Sequence, residues 1–322
     1  MTASPDVPPV RAGTARRPTA LPRPVRHVLG VCVLATLALA VVGGSARADG
    51  GSSPPFDGGS LADQDGGSCT YAGRSYAHCF VGQAWTGAQR LVDVSDVLVL
   101  RSSIADASGG PCLYLRNARR IDLVDLTIAG CDETGIRISN RTDSTDVRIL
   151  GGSIRDTGRT RGSNGSCITA GVTGRVRHPG LVIDGVTVDA CGFDDRDHGI
   201  YVQAQDYVIR DVVVGDVTGN GISVRSSGLV ERATVRGKVG DGKARIRYYN
   251  DHPCGPSDAV RFLDNDVDYD ATPGDLDVSL LWSGGDDDLA CGRYVIRGNG
   301  PAAHVEYQIR PPFDALDVTL AD

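Results

Sequence analysis

Short apolar runs recur along the chain between residues 90 and 310. The runs are four to eight residues long, rich in β-branched side chains and broken by Gly, Asp and Asn, which is typical of strands. Helical periodicity is absent, so the pattern predicts an all-β fold. One pattern of about eight residues occurs seven times, ending in an apolar residue: VLVLRSSI from Val97, IDLVDLTI from Ile121, VRILGGSI from Val147, LVIDGVTV from Leu181, YVIRDVVV from Tyr207, a degenerate LVERATV from Leu229 and VRFLDNDV from Val260.

A second, shorter motif follows within most of these repeats. It reads CLYL at Cys112, GIRI at Gly135, CITA at Cys167, GIYV at Gly199 and GISV at Gly221. The starts of the longer repeats lie 24, 26, 34, 26, 22 and 31 residues apart. Two or three short strands in each such unit predict one coil of a solenoid, because a single coil cannot bury its apolar residues and must stack on its neighbours.

These repeats resemble those of the right-handed parallel β-helix, the pectate-lyase-like superfamily. The resemblance implies a right-handed parallel β-helix of about seven to eight coils, stapled by disulfides, within residues 69–322. That architecture carries lyases, hydrolases, epimerases and adhesins, so the fold leaves the function open.

The N-terminal segment has the features of an export signal. Arg16, Arg17, Arg23 and Arg26 lie ahead of the apolar run 28–42, and Ala46-Arg47-Ala48 follows as a small-residue cleavage site. We therefore expect residues 1–48 to be a signal peptide and the mature protein to be secreted, with no stable membrane insertion after cleavage. Residues 49–68, which are rich in Gly, Ser, Pro and Asp, are expected to be a flexible linker.

Charge and composition exclude several classes of protein. The net charge is −7, and it becomes −12 without residues 1–48, which hold six Arg and one Asp. A nucleic-acid partner is therefore not expected, since phosphate contacts need a basic face. Charged residues at 23% and a mean hydropathy of −0.13 exclude a polytopic membrane protein.

Eight cysteines remain after residue 48, an even number that implies disulfides in an exported chain. Cys112 and Cys167 each open a short motif, and Cys131 and Cys191 each lie three residues beyond the end of the next long repeat. This repeated offset predicts the pairs Cys112–Cys131 and Cys167–Cys191. The remaining pairs would be Cys69–Cys79 and Cys254–Cys291.

Aligning the short motifs on Ile136, Ile168, Ile200 and Ile222 places those residues inward, because alternate strand residues face opposite ways. Two outward rows are then predicted. The first contains Tyr114, Arg137, Thr169, Tyr201, Ser223 and Arg247, and the second contains Arg116, Ser139, Gly171, Gln203, Arg225 and Tyr249. Rows of Tyr and Arg suit stacking on sugar rings and pairing with sugar carboxylates. They are equally compatible with an ordinary polar surface on which Arg pairs with Asp.

Three connections between the long repeats and the short motifs are longer than the others. The connections 128–136 and 214–222 each span 8 residues, whereas 154–168 spans 14, 188–200 spans 12 and 235–246 spans 11. Stacked coils would place the longer turns on one edge, where they would wall a groove. Arg159 and Arg161 lie in the first of these turns and are candidate substrate-binding residues.

The segment DDRDHGIY at 194–201 is the densest candidate site. His198 and Tyr201 are candidate acid–base residues, with Asp197 to orient His198 and Arg225 to stabilise negative charge. Asp194 and Asp195 are candidate oxygen ligands for calcium. The same residues also suit a turn in which Asp197 and His198 act as caps.

A second polar cluster, RIRYYNDH at 245–252, either continues the rows through Arg247 and Tyr249 or forms a loop over the last coils. Gln203 and Arg137 complete the candidate substrate-binding set. Arg177 and His178 fall on the opposite turn and are expected at the surface.

Family motifs match the chain only in part. Alginate epimerases of this fold carry Asp-Pro-His, whereas Asp197 and His198 are adjacent here without the Pro, and the pectate-lyase pattern Arg-x-Pro-x-x-Arg is missing. Paired Asp followed by Gly-His-Gly, the family-28 glycosidase motif, is only echoed by Asp194-Asp195 and His198-Gly199.

Four functions remain open, one of which is a purely structural exported solenoid. The first is a monomeric enzyme that acts on an acidic polysaccharide, as a lyase or an epimerase. The second is a non-catalytic protein that binds glycans or a cell surface. The third is a glycoside hydrolase, which needs two carboxylates across a groove, with Asp194 and Asp197 as the candidates.

Overall fold

Most of the regular structure in the described residues consists of parallel β-strands, as a computed structural model shows. It describes residues 59–61, 66–160, 164–171, 176–249, 251–267, 276–281, 291–299, 305–307 and 316–319. The expected signal peptide, most of the expected linker and Arg161 lie outside these residues. Across the described ranges the fold is all-β, and no α-helix occurs. A search of those ranges found no helix with the length and apolar character needed to cross a membrane.

The first sheet is parallel throughout and carries the short motifs. Its strands in the described part of the chain are, in spatial order, β1 (Gly59–Ser60), β6 (Gln89–Val92), β9 (Leu113–Arg116), β11 (Ile136–Ile138), β13 (Ile168–Ala170), β16 (Ile200–Val202), β19 (Ile222–Arg225), β22 (Ala244–Tyr249), β25 (Leu276–Leu281) and β27 (Val305–Tyr307). Spatial order follows chain order, so each strand pairs with those of the units before and after it.

The second sheet carries the long repeats and consists of two parallel ladders that share β10 (Arg119–Ala129) and β12 (Thr145–Thr157). The other strands of one ladder are β4 (His78–Val81), β7 (Ser95–Leu100), β14 (Val182–Asp184), β17 (Tyr207–Arg210), β20 (Gly228–Glu231), β23 (Ala259–Leu263), β26 (Arg293–Arg297) and β28 (Leu316–Thr319). The other strands of the second ladder are β5 (Ala84–Thr86), β8 (Ser103–Ala105), β15 (Thr187–Cys191), β18 (Val213–Val214), β21 (Thr234–Val235) and β24 (Asp266–Val267).

The chain alternates between the two sheets, and each new strand pairs in parallel with a strand of the preceding unit. This arrangement is compatible with a β-helix or solenoid-like fold. The predicted alignment of the short motifs is confirmed, because Ile136, Ile168, Ile200, Ile222 and Ile246 are successive register partners. All five side chains are fully buried. Burying each one contributes about 1.5–3 kcal/mol, so the stack of isoleucines fixes the register.

Four disulfides join positions close to the ends of strands. Their Cα–Cα distances are 5.4–6.1 Å, and they are the pairs that the cysteine spacing predicts: Cys69–Cys79, Cys112–Cys131, Cys167–Cys191 and Cys254–Cys291. Cys112, Cys131, Cys167 and Cys191 are buried within the main core cluster. These cysteines are therefore structural.

An antiparallel hairpin covers part of the outer face of the second sheet. It consists of β2 (Cys69–Tyr71) and β3 (Arg74–Tyr76), and Tyr76 packs in a small apolar cluster with Leu98 and Val124. Asp122 of β10 is fully buried under it, where its carboxylate accepts hydrogen bonds from Tyr76 and Arg148. The hairpin therefore covers the second sheet, whereas the strands of the predicted site belong to the first sheet.

Candidate functional site

The three long turns and the outer face of the first sheet together line one pocket of about 480 Å³. Each turn contributes side chains, as the turn lengths predict: Asn164 from the first, residues 194–198 from the second and Lys243 from the third. Strands β16, β19 and β22 contribute Tyr201, Arg225 and Tyr249, and Asn220 lies between them. Residues that are distant in sequence thus meet because successive coils stack in register.

The first predicted outward row is continuous in the structure. Tyr114, Arg137, Thr169, Tyr201, Ser223 and Arg247 are register partners on neighbouring strands. The row is not an open sugar-binding face, however, since Thr169 and Ser223 are fully buried and Tyr201 is 8% exposed.

The segment that follows β22 covers part of this face. The carbonyl oxygen of Pro253 accepts hydrogen bonds from Ser226 Oγ at 2.6 Å and from Gln205 Nε2 at 3.1 Å, and Asp251 forms an ion pair with Arg225. The cluster at 245–252 therefore extends both rows in β22, where Arg247 and Tyr249 are the register partners of Ser223 and Arg225.

A guanidinium lies between two tyrosine rings at the centre of the pocket. The Cζ atom of Arg225 is 5.3 Å from the ring centroid of Tyr201 and 4.6 Å from that of Tyr249. Arg247 lies over the Tyr249 ring as well, at 5.1 Å. Cation–π contacts of this kind are strongest where water is excluded, and both arginines are largely buried, with Arg247 8% exposed.

His198 is held in one tautomer by the next coil. Its Nδ1 accepts a hydrogen bond from the backbone N–H of Asn220 at 3.0 Å, so the proton of the neutral ring is on Nε2. Within the described residues, Nε2 has no protein partner, and the ring lies 5.3 Å from that of Tyr201. His198 therefore presents an N–H donor to the pocket.

Burial and positive charge keep His198 neutral. Desolvation, followed by the charges of Arg225 and Lys243, lowers the pKa of His198 to about 3. An acid–base role for His198 therefore stays a prediction, and the lowered pKa favours the neutral ring. At neutral pH the lone pair on Nδ1 is occupied by the Asn220 amide, and the ring acts as a hydrogen-bond donor.

The ring of His178 is held in the same tautomer as that of His198, but both of its nitrogens have protein partners. Its Nδ1 accepts the Ser144 N–H at 3.0 Å and its Nε2 lies 2.8 Å from the Ser139 carbonyl oxygen, to which it donates. The side chain is 1% exposed and burial lowers its pKa, so the expectation of a surface histidine is wrong. In His198 the corresponding N–H faces the pocket.

Tyr201 supplies the hydroxyl of the pocket. Gln203 Nε2 donates to its oxygen at 2.7 Å, which leaves the phenol proton to donate elsewhere. Burial raises the pKa of Tyr201 above its usual value, although the charge of Arg225 acts in the opposite direction. Gln203 is thus a residue that orients Tyr201, and it is 4% exposed.

Asp197 holds a turn and is not available for chemistry. One carboxylate oxygen accepts the Gly165 N–H at 2.7 Å, and the other accepts the N–H groups of Phe193 at 2.9 Å and Asp194 at 3.3 Å. The residue is 2% exposed. The catalytic role predicted for Asp197 is therefore corrected to a capping role.

Asp194 and Asp195, the candidate calcium ligands, each have a protein donor on a carboxylate oxygen. Asp195 Oδ2 is 3.1 Å from Lys243 Nζ, and Asp194 Oδ1 accepts the Arg196 N–H at 3.0 Å. Calcium needs six to eight oxygen ligands, and these two carboxylates are engaged with cationic or backbone donors. The grouping of potential metal ligands found in the described residues is Cys254, Asp258 and Cys291, whose cysteines form a disulfide.

The other predicted binding residues lie outside the pocket or at its margin. Arg137 is two strands away from Tyr201 and pairs with Glu133 at 3.1 Å. Arg159 pairs with Asp106 and Asp132 in a neighbouring groove, and Arg161 is outside the described residues. Arg247 lies beneath the pocket, where its Nη1 donates to Asn220 Oδ1 at 3.4 Å.

Asn220 is a functional residue that the sequence reasoning missed. Its backbone fixes His198, and its Oδ1 accepts the Ala244 N–H at 2.9 Å, which ties the third turn to the site. The signal available in the sequence is the isolated Asn between two glycines, GNG at 219–221, where an added Cβ at Gly219 would contact His198 Nδ1 at 2.6 Å.

The fold and the site define an all-β, disulfide-bonded protein of parallel sheets with a pocket of tyrosine, arginine and neutral histidine. No protein-family model, no curated protein and no solved structure matches the chain. The chemistry of the pocket therefore carries the functional interpretation.

Proposed function

We propose that the chain is a secreted, monomeric, right-handed parallel β-helix of about seven to eight coils that acts on an acidic polysaccharide. Right-handed crossovers are favoured because parallel strands joined through a connection adopt that hand in about 98% of cases. Four disulfides favour export, since such bonds persist in oxidising compartments. The pectate-lyase-like resemblance and the signal peptide at 1–48 belong to the same proposal.

The observation that carries this proposal is the meeting of Tyr201, Arg225, Tyr249 and His198 in one pocket. A uronate carboxylate entering the pocket would replace Asp251 as a partner of Arg225 and accept the Nε2 proton of His198. The tyrosine rings provide apolar surface beside the charged group. The pocket thus combines the three contacts that an acidic sugar needs.

The reaction that these groups favour is β-elimination. The phenolate of Tyr201 takes the proton on the carbon next to the uronate carboxylate, while Arg225 and His198 stabilise the negative charge that develops on that carboxylate. The electron pair forms a carbon–carbon double bond as the neighbouring glycosidic C–O bond breaks. The proton held by Tyr201 then passes to the leaving oxygen. An epimerase would instead return a proton to the opposite face of the same carbon.

The test is to incubate the protein with a panel of uronate polymers and follow the ultraviolet absorbance of unsaturated products. Because burial raises the pKa of Tyr201, we expect the rate to rise from neutral towards alkaline pH. Tyr201→Phe is expected to lower the rate at least about a hundredfold and to retain binding. Tyr114→Phe, on the same row but outside the pocket, is the matched control.

A rate unaffected by Tyr201→Phe would remove this residue from the mechanism. Absence of products from every uronate polymer, in a protein that is folded, would rule out the lyase reaction.

A non-catalytic glycan-binding protein is the second candidate, and one observation favours it. The pKa of His198 is lowered to about 3 and that of Tyr201 is raised, so neither group changes charge near neutral pH. Glycan affinity without any product would select this function. The hydrolase alternative loses its support, because Asp197 is occupied by backbone N–H groups.

A further inference from the structure

Phe193 is a large aromatic side chain at the surface beside the pocket. It is 47% exposed, and it follows Gly192 at the start of the turn that carries His198. Keeping half of a phenyl ring in water forgoes the free energy of burying it. The exposed face of the ring is therefore available to a ligand.

The backbone beneath Phe193 is held firmly. Its N–H donates to the buried carboxylate of Asp197 at 2.9 Å, and Thr218 Oγ1 donates to the carbonyl oxygen of the next residue, Asp194, at 2.6 Å. The ring is thus presented from a turn fixed by Asp197, the residue whose carboxylate the chemistry does not use. Because the backbone is already fixed, only the two side-chain torsions of Phe193 remain to be ordered when a ligand stacks on the ring.

Phe193 lies between two grooves, of about 480 and 550 Å³. The larger groove shares Asp194 and Asp195 with the pocket that contains Tyr201 and Arg225, so the surface is continuous with the proposed site.

The charge around Phe193 differs from the charge of that pocket. The larger groove contains one cation, Lys238, and four carboxylates: Asp194, Asp195, Asp216 and Asp241. The smaller groove contains Arg159 together with Asp106 and Asp156. Carboxylates repel a uronate but accept hydrogen bonds from sugar hydroxyls.

We infer that Phe193 forms a second sugar subsite, which takes an uncharged pyranose ring of the polysaccharide whose uronate occupies the Tyr201–Arg225 pocket. The apolar face of the sugar stacks on the phenyl ring, and its hydroxyls donate to the surrounding carboxylates, Asp216 among them. This inference rests on the proposed function and deepens it. The glycan is then a mixed polymer that contains both uronate and neutral sugars.

The experiment compares two kinds of probe of equal length by titration calorimetry. Oligosaccharides of rhamnogalacturonan and gellan contain uronate and neutral sugars, whereas oligogalacturonates contain uronate alone. We expect the wild-type chain to bind at least one mixed probe about tenfold more tightly than the pure uronate probe. Phe193→Ala is expected to remove that tenfold advantage, which corresponds to burying part of one aromatic ring. Phe193→Trp is the control that keeps an aromatic face, and it should retain the advantage.

The outcomes separate this inference from the proposed function. If uronate probes bind and Phe193→Ala weakens mixed and pure probes equally, or neither, the neutral-sugar subsite is overturned while the proposed function stands. If no uronate-containing probe binds the wild-type chain, the proposed function is overturned and the subsite with it.

Discussion

At the scale of single residues, one backbone amide decides what His198 can do. The N–H of Asn220 occupies Nδ1, and the surrounding charges of Arg225 and Lys243 oppose protonation. The sequence identifies His198 as a site residue but not its protonation state, because the deciding partner lies 22 residues further along the chain in the next coil. Local sequence contains no signal for that contact until the register of the coils is known.

The first prediction concerns the titration of His198. Its pKa is lowered to about 3 in the folded chain, while an unfolded chain has the usual 6.5. As pH falls below 6.5 the unfolded state gains a proton that the folded state does not, so the free energy of unfolding falls with pH. Above pH 6.5 this contribution to stability is fully present. Proton NMR should show no titration of the His198 ring between pH 5 and 8.

A substitution of His198 itself provides the control for this prediction. His198→Gln should weaken the loss of stability between pH 6.5 and 5, because the proton uptake of one histidine in the unfolded chain has been removed. A ring resonance that titrates near 6.5 would show that the imidazole is not held neutral as described.

At the scale of elements, the turn 192–198 is the unit that builds the site. Asp197 caps it from within, Phe193 lies on one side, and Asp195 reaches Lys243 on the third turn. The length of the turn predicts a wall to a groove, and its charged residues predict chemistry. Which carboxylate is structural could not be read from the segment DDRDHGIY, since the distinction depends on Gly165, which lies in the preceding turn.

The second prediction tests that assignment of Asp197. Asp197→Ala leaves three buried or half-buried backbone N–H groups without their acceptor, so the free energy of unfolding should fall by about 3 kcal/mol. Urea unfolding measures the change. Asp195→Ala, which removes an exposed carboxylate from the same turn, should change stability by less than about 0.5 kcal/mol. Equal effects of the two substitutions would contradict the capping role.

At the scale of the whole molecule, the repeat determines the fold and the departures from the repeat determine the site. Register, inward isoleucines and disulfide pairs follow from spacing, because stacked coils repeat the same geometry. The abundant glycines fit the close approach of coils, as at Gly152, where an added Cβ would lie 2.2 Å from the Leu126 carbonyl oxygen. Which residues remain accessible is not a property of the repeat. It depends on non-repeating segments such as the one around Pro253.

The charges around Arg225 contrast with the net charge of the whole molecule. The chain after residue 48 carries a net charge of −12, yet Arg225 and Arg247 lie together at the pocket over the tyrosine rings. Arginines pair with acidic residues both at the pocket, as Arg225 does with Asp251, and away from it, as Arg210 does with Asp184 on the second sheet. The pocket lining balances three carboxylates, Asp194, Asp195 and Asp197, against three cations, Arg196, Arg225 and Lys243, so Arg225 marks one position for an anionic ligand group on an otherwise acidic molecule.

The most direct test of the central claim is the affinity for uronate oligosaccharides, measured by titration calorimetry on the wild-type chain and on Arg225→Gln. Arg210→Gln, which breaks an ion pair away from the pocket, is the matched control. We expect wild type and Arg210→Gln to bind alike and Arg225→Gln to bind at least about tenfold more weakly, because a charge-assisted contact is lost. Failure of any uronate to bind, or equal affinity in Arg225→Gln, would contradict it.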